Sequence, residues 1–200
     1  MSGTWPTSPG FEMMTPGSVH ATIVNESVSG KRHVRQIGGH KWKLTAQYPA
    51  MTRAEFAPVL AFMIAQRGQF ESFQIVPPLI ATPLGDVSGS APLVDGASQT
   101  GRSLITNGWG PSKTVLAAGD FIKLANNNKV YMVTADAVSD GSGDATLSIE
   151  PALMTSPADA SAITVSGVPF TMALSGDVQE FRTKEIGFFS YEVDLIEVLS

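Results

Sequence analysis

The chain has 200 residues, a formal net charge of −5 and no cysteine, a length that fits one sizeable domain or two small ones. The missing thiols exclude disulfides, thiolate metal sites and cysteine nucleophiles, and suit a protein assembled in the cytoplasm. The acidic balance leaves no broad basic stripe for gripping nucleic acid, and only 16 % of residues are charged, which leaves surface that can be buried against other proteins.

The first residues, Met1 to Pro6, carry neither a basic region nor an apolar run, so no signal peptide is expected. Val19, Ala21 and Ile23 alternate with His20, Thr22 and Val24, which predicts a strand. Asn25-Glu26-Ser27 and Ser29-Gly30 punctuate, Lys31 to Ile37 follows, and Gly38-Gly39 reads as a turn. Lys31, Arg32, His33 and Arg35, then His40, Lys41 and Lys43, form one short basic cluster. Its alternation fits the wet face of a hairpin better than a phosphate site. The clearest strand is His40 to Tyr48. There Trp42, Leu44, Ala46 and Tyr48 share a core face, and Lys41, Lys43, Thr45 and Gln47 share a wet one.

Thr52-Arg53-Ala54-Glu55 is a capping box, with Met51 and Phe56 spaced as a hydrophobic staple. Phe56, Val59, Leu60, Met63 and Ile64 then follow helical spacing as one apolar stripe. Arg67 suits the helix C-terminus and Gly68 the left-handed position after it. Pro58 is discordant, because it removes a helical hydrogen bond or moves the start of the helix. The apolar stretch Phe56 to Ala65 is too short to span a bilayer. A strand is expected within Phe70 to Val76, closed by Pro77-Pro78.

From about Ile80 to Ala162 the helical period disappears. Short strands are predicted at Pro92–Val94, Ser103–Thr106, Phe121–Leu124, Lys129–Thr134 and Ala145–Ile149. Asn126-Asn127-Asn128 and Asp140-Gly141-Ser142-Gly143 join neighbouring pairs as loops. Such a series suggests a small barrel of oligonucleotide/oligosaccharide-binding type. Long strands return at the end. Phe170, Met172 and Leu174 alternate with Thr171, Ala173 and Ser175; Phe189, Tyr191, Val193 and Leu195 alternate with Ser190, Glu192 and Asp194. The fold class read from this pattern is mainly β. The ends of the chain, residues 1–80 and 163–200, are expected to form one β-rich domain with one α-helix, and residues 81–162 an inserted small OB-like β-barrel.

No catalytic, cofactor or metal site is nominated. Asp140, Ser142 and Asp144 begin like a calcium loop, but Ala145 and Pro151 stand where Gly and Glu are required, so a hairpin turn is expected. His20, His33 and His40 lack metal-ligand spacing. There is no nucleophile elbow, phosphate loop or dinucleotide fingerprint; Gly101, Gly108 and Gly110 flank Trp109 without a following helix. Trp42 and Tyr48 are read as core. Trp5 and Trp109, in loop-like segments, are read as core or interface anchors, with sugar stacking on the barrel as the minor alternative for a Trp there.

These residues resemble the distal tail proteins of long-tailed, non-contractile bacteriophages. The likeness is carried by Gly39-His40-Lys41-Trp42 through Tyr48-Pro49 into Met51-Thr52-Arg53-Ala54-Glu55, and by Gly68-Gln69-Phe70-Glu71-Ser72-Phe73. In the middle it is carried by Gln99-Thr100-Gly101, Ala118-Gly119-Asp120-Phe121 and the run Val130 to Asp136. The resemblance implies a tail-tube-like fold, a β-sandwich or barrel flanked by one α-helix, for the joined ends, with the small barrel inserted between them. It implies a hexameric ring in the virion, between the tail tube and the tail-tip or baseplate hub, assembled in the host cytoplasm. The implied partners are other copies of the chain, the tail-tube protein, the tip hub protein and the tape-measure protein. DNA is only cargo passing through the lumen, no membrane is involved, and the protein is not an enzyme. The alternatives are another minor tail or baseplate protein of the same fold, and a host-glycan-binding module.

Overall fold

The computed structural model describes residues 2–180, 182–185 and 188–199. In chain order the first elements are β1 (Met13–Val19), β2 (Thr22–Glu26), β3 (Arg32–Gln36), β4 (Lys41–Gln47), β5 (Met51–Thr52), α1 (Arg53–Ala65) and β6 (Phe73–Ile75). The middle of the chain gives β7 (Leu93–Val94), β8 (Ser103–Asn107), β9 (Thr114–Leu116), β10 (Phe121–Leu124), β11 (Val130–Val133), β12 (Ala137–Val138), β13 (Ala145–Glu150) and β14 (Ile163–Thr164). The end gives β15 (Phe170–Leu174), β16 (Arg182–Glu185), β17 (Phe188–Ser190) and β18 (Glu192–Glu197). The chain is mainly β, and α1 is the single α-helix among the described residues.

The two ends of the chain share one five-stranded sheet, in the order β1-β4-β18-β15-β6. Strand β4 lies inside it because its alternation is so regular. Trp42, Leu44, Ala46 and Tyr48 are buried on the core face, while Lys43, Thr45 and Gln47 are half-buried on the other. It pairs antiparallel with β1 from Met13↔Gln47 to Val19↔Lys41, and with β18 from Gln47↔Glu192 to Lys43↔Ile196. Strand β1 is tolerated with Pro16 and Gly17 inside it because it is the edge of the sheet, where a missing N–H breaks no ladder on its outer side.

The capping box forms as read. The Glu55 carboxylate accepts the Thr52 N–H at 2.9 Å, and the Thr52 hydroxyl faces the Glu55 N–H at 3.5 Å. The Thr52 N–H and the Thr52 hydroxyl, each donating to the Glu55 carboxylate at 2.9 Å, hold that carboxyl below its usual range. Pro58 sits inside the helix without ending it. Phe56, Val59 and Met63 enter the core, and Leu60 is half-buried. Ile64, expected on the same stripe, is 62 % exposed, because at 3.6 residues per turn it falls outside the buried arc of Phe56, Val59, Met63 and Gln66. The outward side is Ala54, Ala57, Pro58, Ala61, Ile64 and Ala65, with no charge after the first turn. The helix closes through Gln66, with Arg67 and Gly68 both at positive φ.

Three readings from the sequence are corrected. The strand over 19–24 is two pieces: Val19 ends the ladder with β4, and Thr22 begins a separate pair with β3. The run Phe189 to Leu195 also divides, at Tyr191. Strand β17 pairs with β5 beside the helix, and β18 joins the main sheet. Strand β15 has no wet face: all five of its residues are buried, and Thr171, on the side that alternation assigns to water, meets the buried Lys123 ammonium at 3.4 Å.

The middle of the chain forms the six-stranded sheet β14-β10-β11-β13-β8-β7. A bridge between Leu93 and Ala162 and hydrogen bonds such as Val94 N–H to Ser161 O at 2.9 Å bring its last strands together, so it is nearly a closed barrel. Its core contains Leu104, Leu116, Ile122, Leu124, Tyr131, Val133, Leu147 and Ile149. The loops Asn126–Asn128 and Asp140–Gly143 lie where expected, whereas the two- and three-residue strands β9, β12 and β14 carry too little pattern to read. The approach to the barrel is pinned by Asp120, whose carboxylate accepts the N–H groups of Leu84 (2.8 Å), Gly85 (3.1 Å) and Ala117 (2.8 Å).

Candidate assembly surfaces

The barrel touches the five-stranded sheet through β10 and β11, and the period of two explains how. Ile122, Leu124, Tyr131 and Val133 point into the barrel. Phe121, Lys123 and Val130 point the other way, and Phe121 and Val130 belong to the core under the sheet. The Phe121 ring meets Trp42 (5.2 Å between centres) and Phe170 (5.6 Å) edge-on. Edge-to-face rings at that separation attract beyond simple burial.

At the centre of this junction is a buried ion pair. The Glu197 carboxylate, at the end of β18, accepts the Trp42 N–H at 3.0 Å, the Val130 N–H at 3.1 Å and the Lys129 ammonium. The Trp42 indole N–H donates to Val130 O at 2.8 Å, and the Lys129 Nζ lies 5.8 Å from the Trp42 ring centre. Neither Lys129 nor Glu197 reaches solvent. Burial pulls the Lys129 pKa down, and Glu197 opposes that pull. Lys123 is also buried and donates to Pro169 O at 3.2 Å; burial lowers its pKa as well. Buried charges of this kind need their partners in fixed positions. The cluster therefore sets how barrel and sheet face each other. The sequence hides it, because single Lys and Glu residues read as surface.

The hairpin β2–β3 is the opposite case. All ten of its strand residues are exposed on both faces, and its ladder, Thr22↔Gln36 to Glu26↔Arg32, joins no other strand among the described residues. Ile23, Val24 and Val34 are each about half exposed, and Val28 at the turn is fully exposed. Lys31, Arg32, His33 and Arg35 stand in solvent here, as the wet-hairpin reading expects; His40, grouped with them in the sequence, is 4 % exposed and lies beyond the hairpin. A lone two-stranded hairpin is marginal in water.

A cleft of about 410 Å³ lies at the far end of the main sheet. It is lined by Gln47, the turn Ser175–Gly176, Val178 to Glu180, and Ser190 to Asp194. Glu180 and Glu192 are exposed there. Asp194 accepts the Thr45 hydroxyl at 2.6 Å and pairs with Lys43 at 3.1 Å; these bonds hold its carboxyl below the usual range. The cleft is polar, acidic and open. It contains no paired acid and base, and no nucleophile beside a base.

Trp5 and Trp109, named from the sequence as interface residues, are both buried within the chain. Trp5 is 3 % exposed; it donates to the Tyr48 hydroxyl at 2.7 Å and packs on Phe73 and Phe62. It lies on a short stretch, residues 2–5, that hydrogen-bonds along β6. Trp109 is 5 % exposed and donates to Thr106 Oγ1 at 2.8 Å, so its ring has no free face on which a sugar could stack. The signal for its burial is glycine. A side chain at Gly143 would collide with the Trp109 carbonyl, and Gly108 holds φ 78° beside it. Asp140 accepts the N–H groups of Ser142 (2.8 Å) and Asp144 (3.0 Å), which makes a self-satisfied turn. The His20 and His40 rings meet edge-to-face, centres 4.6 Å apart, with His33 away on the hairpin. Among the described residues no three His, Asp or Glu are placed to hold a metal ion.

Residues 80–168 match the family model of the B domain of the distal tail protein pb9. No curated protein matches the chain. The matched segment runs from the 3₁₀ turn at Pro78–Ile80 to the residue pair before β15, so it contains the whole six-stranded sheet. The resemblance to distal tail proteins read from the sequence therefore holds, and it rests on the barrel. The family indicates a structural protein of the phage distal tail, a component of the virion that meets other tail proteins.

Proposed function

We propose that this chain forms a hexameric ring joining the tail tube to the tip or baseplate hub of a siphophage, and that it has no enzymatic role. In this reading residues 1–80 and 163–200 are one discontinuous, tail-tube-like domain that builds the ring. Residues 81–162 are an inserted domain, held outward at a fixed angle by the Glu197 junction. The observation that carries the ring is the hairpin β2–β3, a ladder with no partner strand among the described residues. A surface that joins a different surface of the next copy closes into a ring when the rotation allows.

The tube protein, the hub protein and the tape-measure protein are the neighbours this position implies. Trp5 and Trp109 serve it from below, by holding the segments around them. Six chains of net charge −5 give an acidic ring, and an acidic lumen lets DNA pass without adhering. Assembly takes place in the host cytoplasm before the ring joins the virion.

Antibody against the purified chain, applied to intact particles and seen by gold labelling, tests the position. Label at the tail end away from the capsid is expected; label along the whole tube, or none on the tail, overturns it. A ring with a neutral or basic channel wall removes the lumen argument.

A further inference from the structure

Resting on the ring reading above, we infer that the acidic cleft at one end of the main sheet receives the basic hairpin of a second copy of this chain. The argument begins with strand direction. The hairpin grows from the ends of β1 and β4 at Val19 and Lys41, which are register partners. The cleft lies at the other end of β4, at Gln47, where β18 begins at Glu192. Seven residues of extended chain separate the two ends, about 20 Å along the strand. The hairpin points away from its own cleft, so it can fill only another copy's.

Charge and shape agree. The hairpin presents Lys31, Arg32 and Arg35, all exposed, with Val28 bare at its tip. The cleft presents Glu180 and Glu192, also exposed, beside Val178, which is 77 % exposed. Its volume of about 410 Å³ takes the side chains of a turn rather than a whole ladder. In an acidic chain this hairpin concentrates positive charge, and the cleft gathers carboxylates. Opposite charges on opposite ends of one chain steer head-to-tail contact and disfavour like ends meeting. Such a contact is heterologous, as a ring requires.

The chain has no cysteine, so introduced thiols are unique. Two single variants, V28C and V178C, are mixed and oxidised. A disulfide between the two different variants is expected, in at least tenfold excess over either variant with itself. The doubled variant V28C/V178C is expected to give a ladder of linked chains ending in a closed ring. Charge reversal gives the independent arm: K31E/R32E and E180K/E192K should each weaken self-association at least tenfold, and mixing the two should restore it. Far-UV circular dichroism checks that each variant is folded; all six positions are exposed. If the native chain forms rings while the mixed disulfide is absent and both reversals leave association unchanged, the docking inference falls and the ring reading stands. If the native chain stays a monomer at high concentration, both fall.

Discussion

Glu197→Ala is the most informative single change for the junction. It removes the acceptor of three hydrogen bonds, from Lys129, the Trp42 N–H and the Val130 N–H. What remains is an ammonium whose side chain is 1 % exposed, with two buried backbone donors beside it. Removing one partner of a buried pair costs about 3–5 kcal/mol, and each stranded donor costs about 1–3 kcal/mol. The contributions overlap, since all three donors share one carboxylate, so a loss of about 5 kcal/mol is expected. That is a large part of the roughly 5–15 kcal/mol that holds a domain folded. Glu197→Gln keeps the shape and one acceptor, and should cost about half as much.

The decisive comparison is the pair Lys129→Met with Glu197→Gln. With the ammonium gone, the carboxamide no longer faces an unpaired charge. The double variant should therefore be at least 2 kcal/mol more stable than the sum of the two singles predicts. Urea unfolding followed by tryptophan emission is the assay, because Trp42 sits in the junction. If the junction couples the two parts, the singles should also split one transition into two. A cost below about 1 kcal/mol for Glu197→Ala, or strict additivity in the double variant, would refute the reasoning.

His40 makes acid stability testable. It is buried and its Nδ1 has no hydrogen-bond partner. Burial first, and then the Lys129 charge, lowers its pKa to about 4. The unfolded chain takes up this proton near pH 6.5 and the folded chain only near 4, so its contribution is complete above 6.5 and is lost as pH falls toward 4. Up to about 3 kcal/mol should disappear across that window, and His40→Gln should flatten the urea midpoint measured against pH. Thr52→Ala should cost about 1 kcal/mol by calorimetry, the usual loss of a helix cap. Trp109→Ala should destabilise by about 3–5 kcal/mol, as the emptied site of a buried aromatic does. Specific binding to a glycan array by the native chain, lost in Trp109→Ala, would contradict the buried role assigned to that ring.

Much of the fold is legible where one physical rule acts alone. Strand β4 alternates cleanly because one face meets the core. The helix start is written in Thr52 and Glu55 because orphan amides need local acceptors. Where two rules compete, the reading fails. Pro16 and Gly17 mask β1, since nothing in the sequence says that this strand is an edge. Tyr191 continues the alternation of its neighbours, yet it is the point where the chain passes from one sheet to another. Strand β15 looks half wet because its second face is covered by residues far away in sequence. The assembly surfaces divide in the same way. The basic hairpin shows in the alternation of its charges. The Lys129–Glu197 pair does not, because a buried charge is recognised only by the partners that tertiary structure supplies. Trp5 and Trp109 lie in loops and give no period; their burial depends on Tyr48 and on glycines elsewhere in the chain.

Particle mass and shape test the central claim most directly. Purified native chain at high concentration, measured by light scattering and imaged in negative stain, should have the mass of six 21.1 kDa chains and show sixfold rings with a central opening. A monomer of the same purity and concentration, or an open filament that never closes, would contradict it.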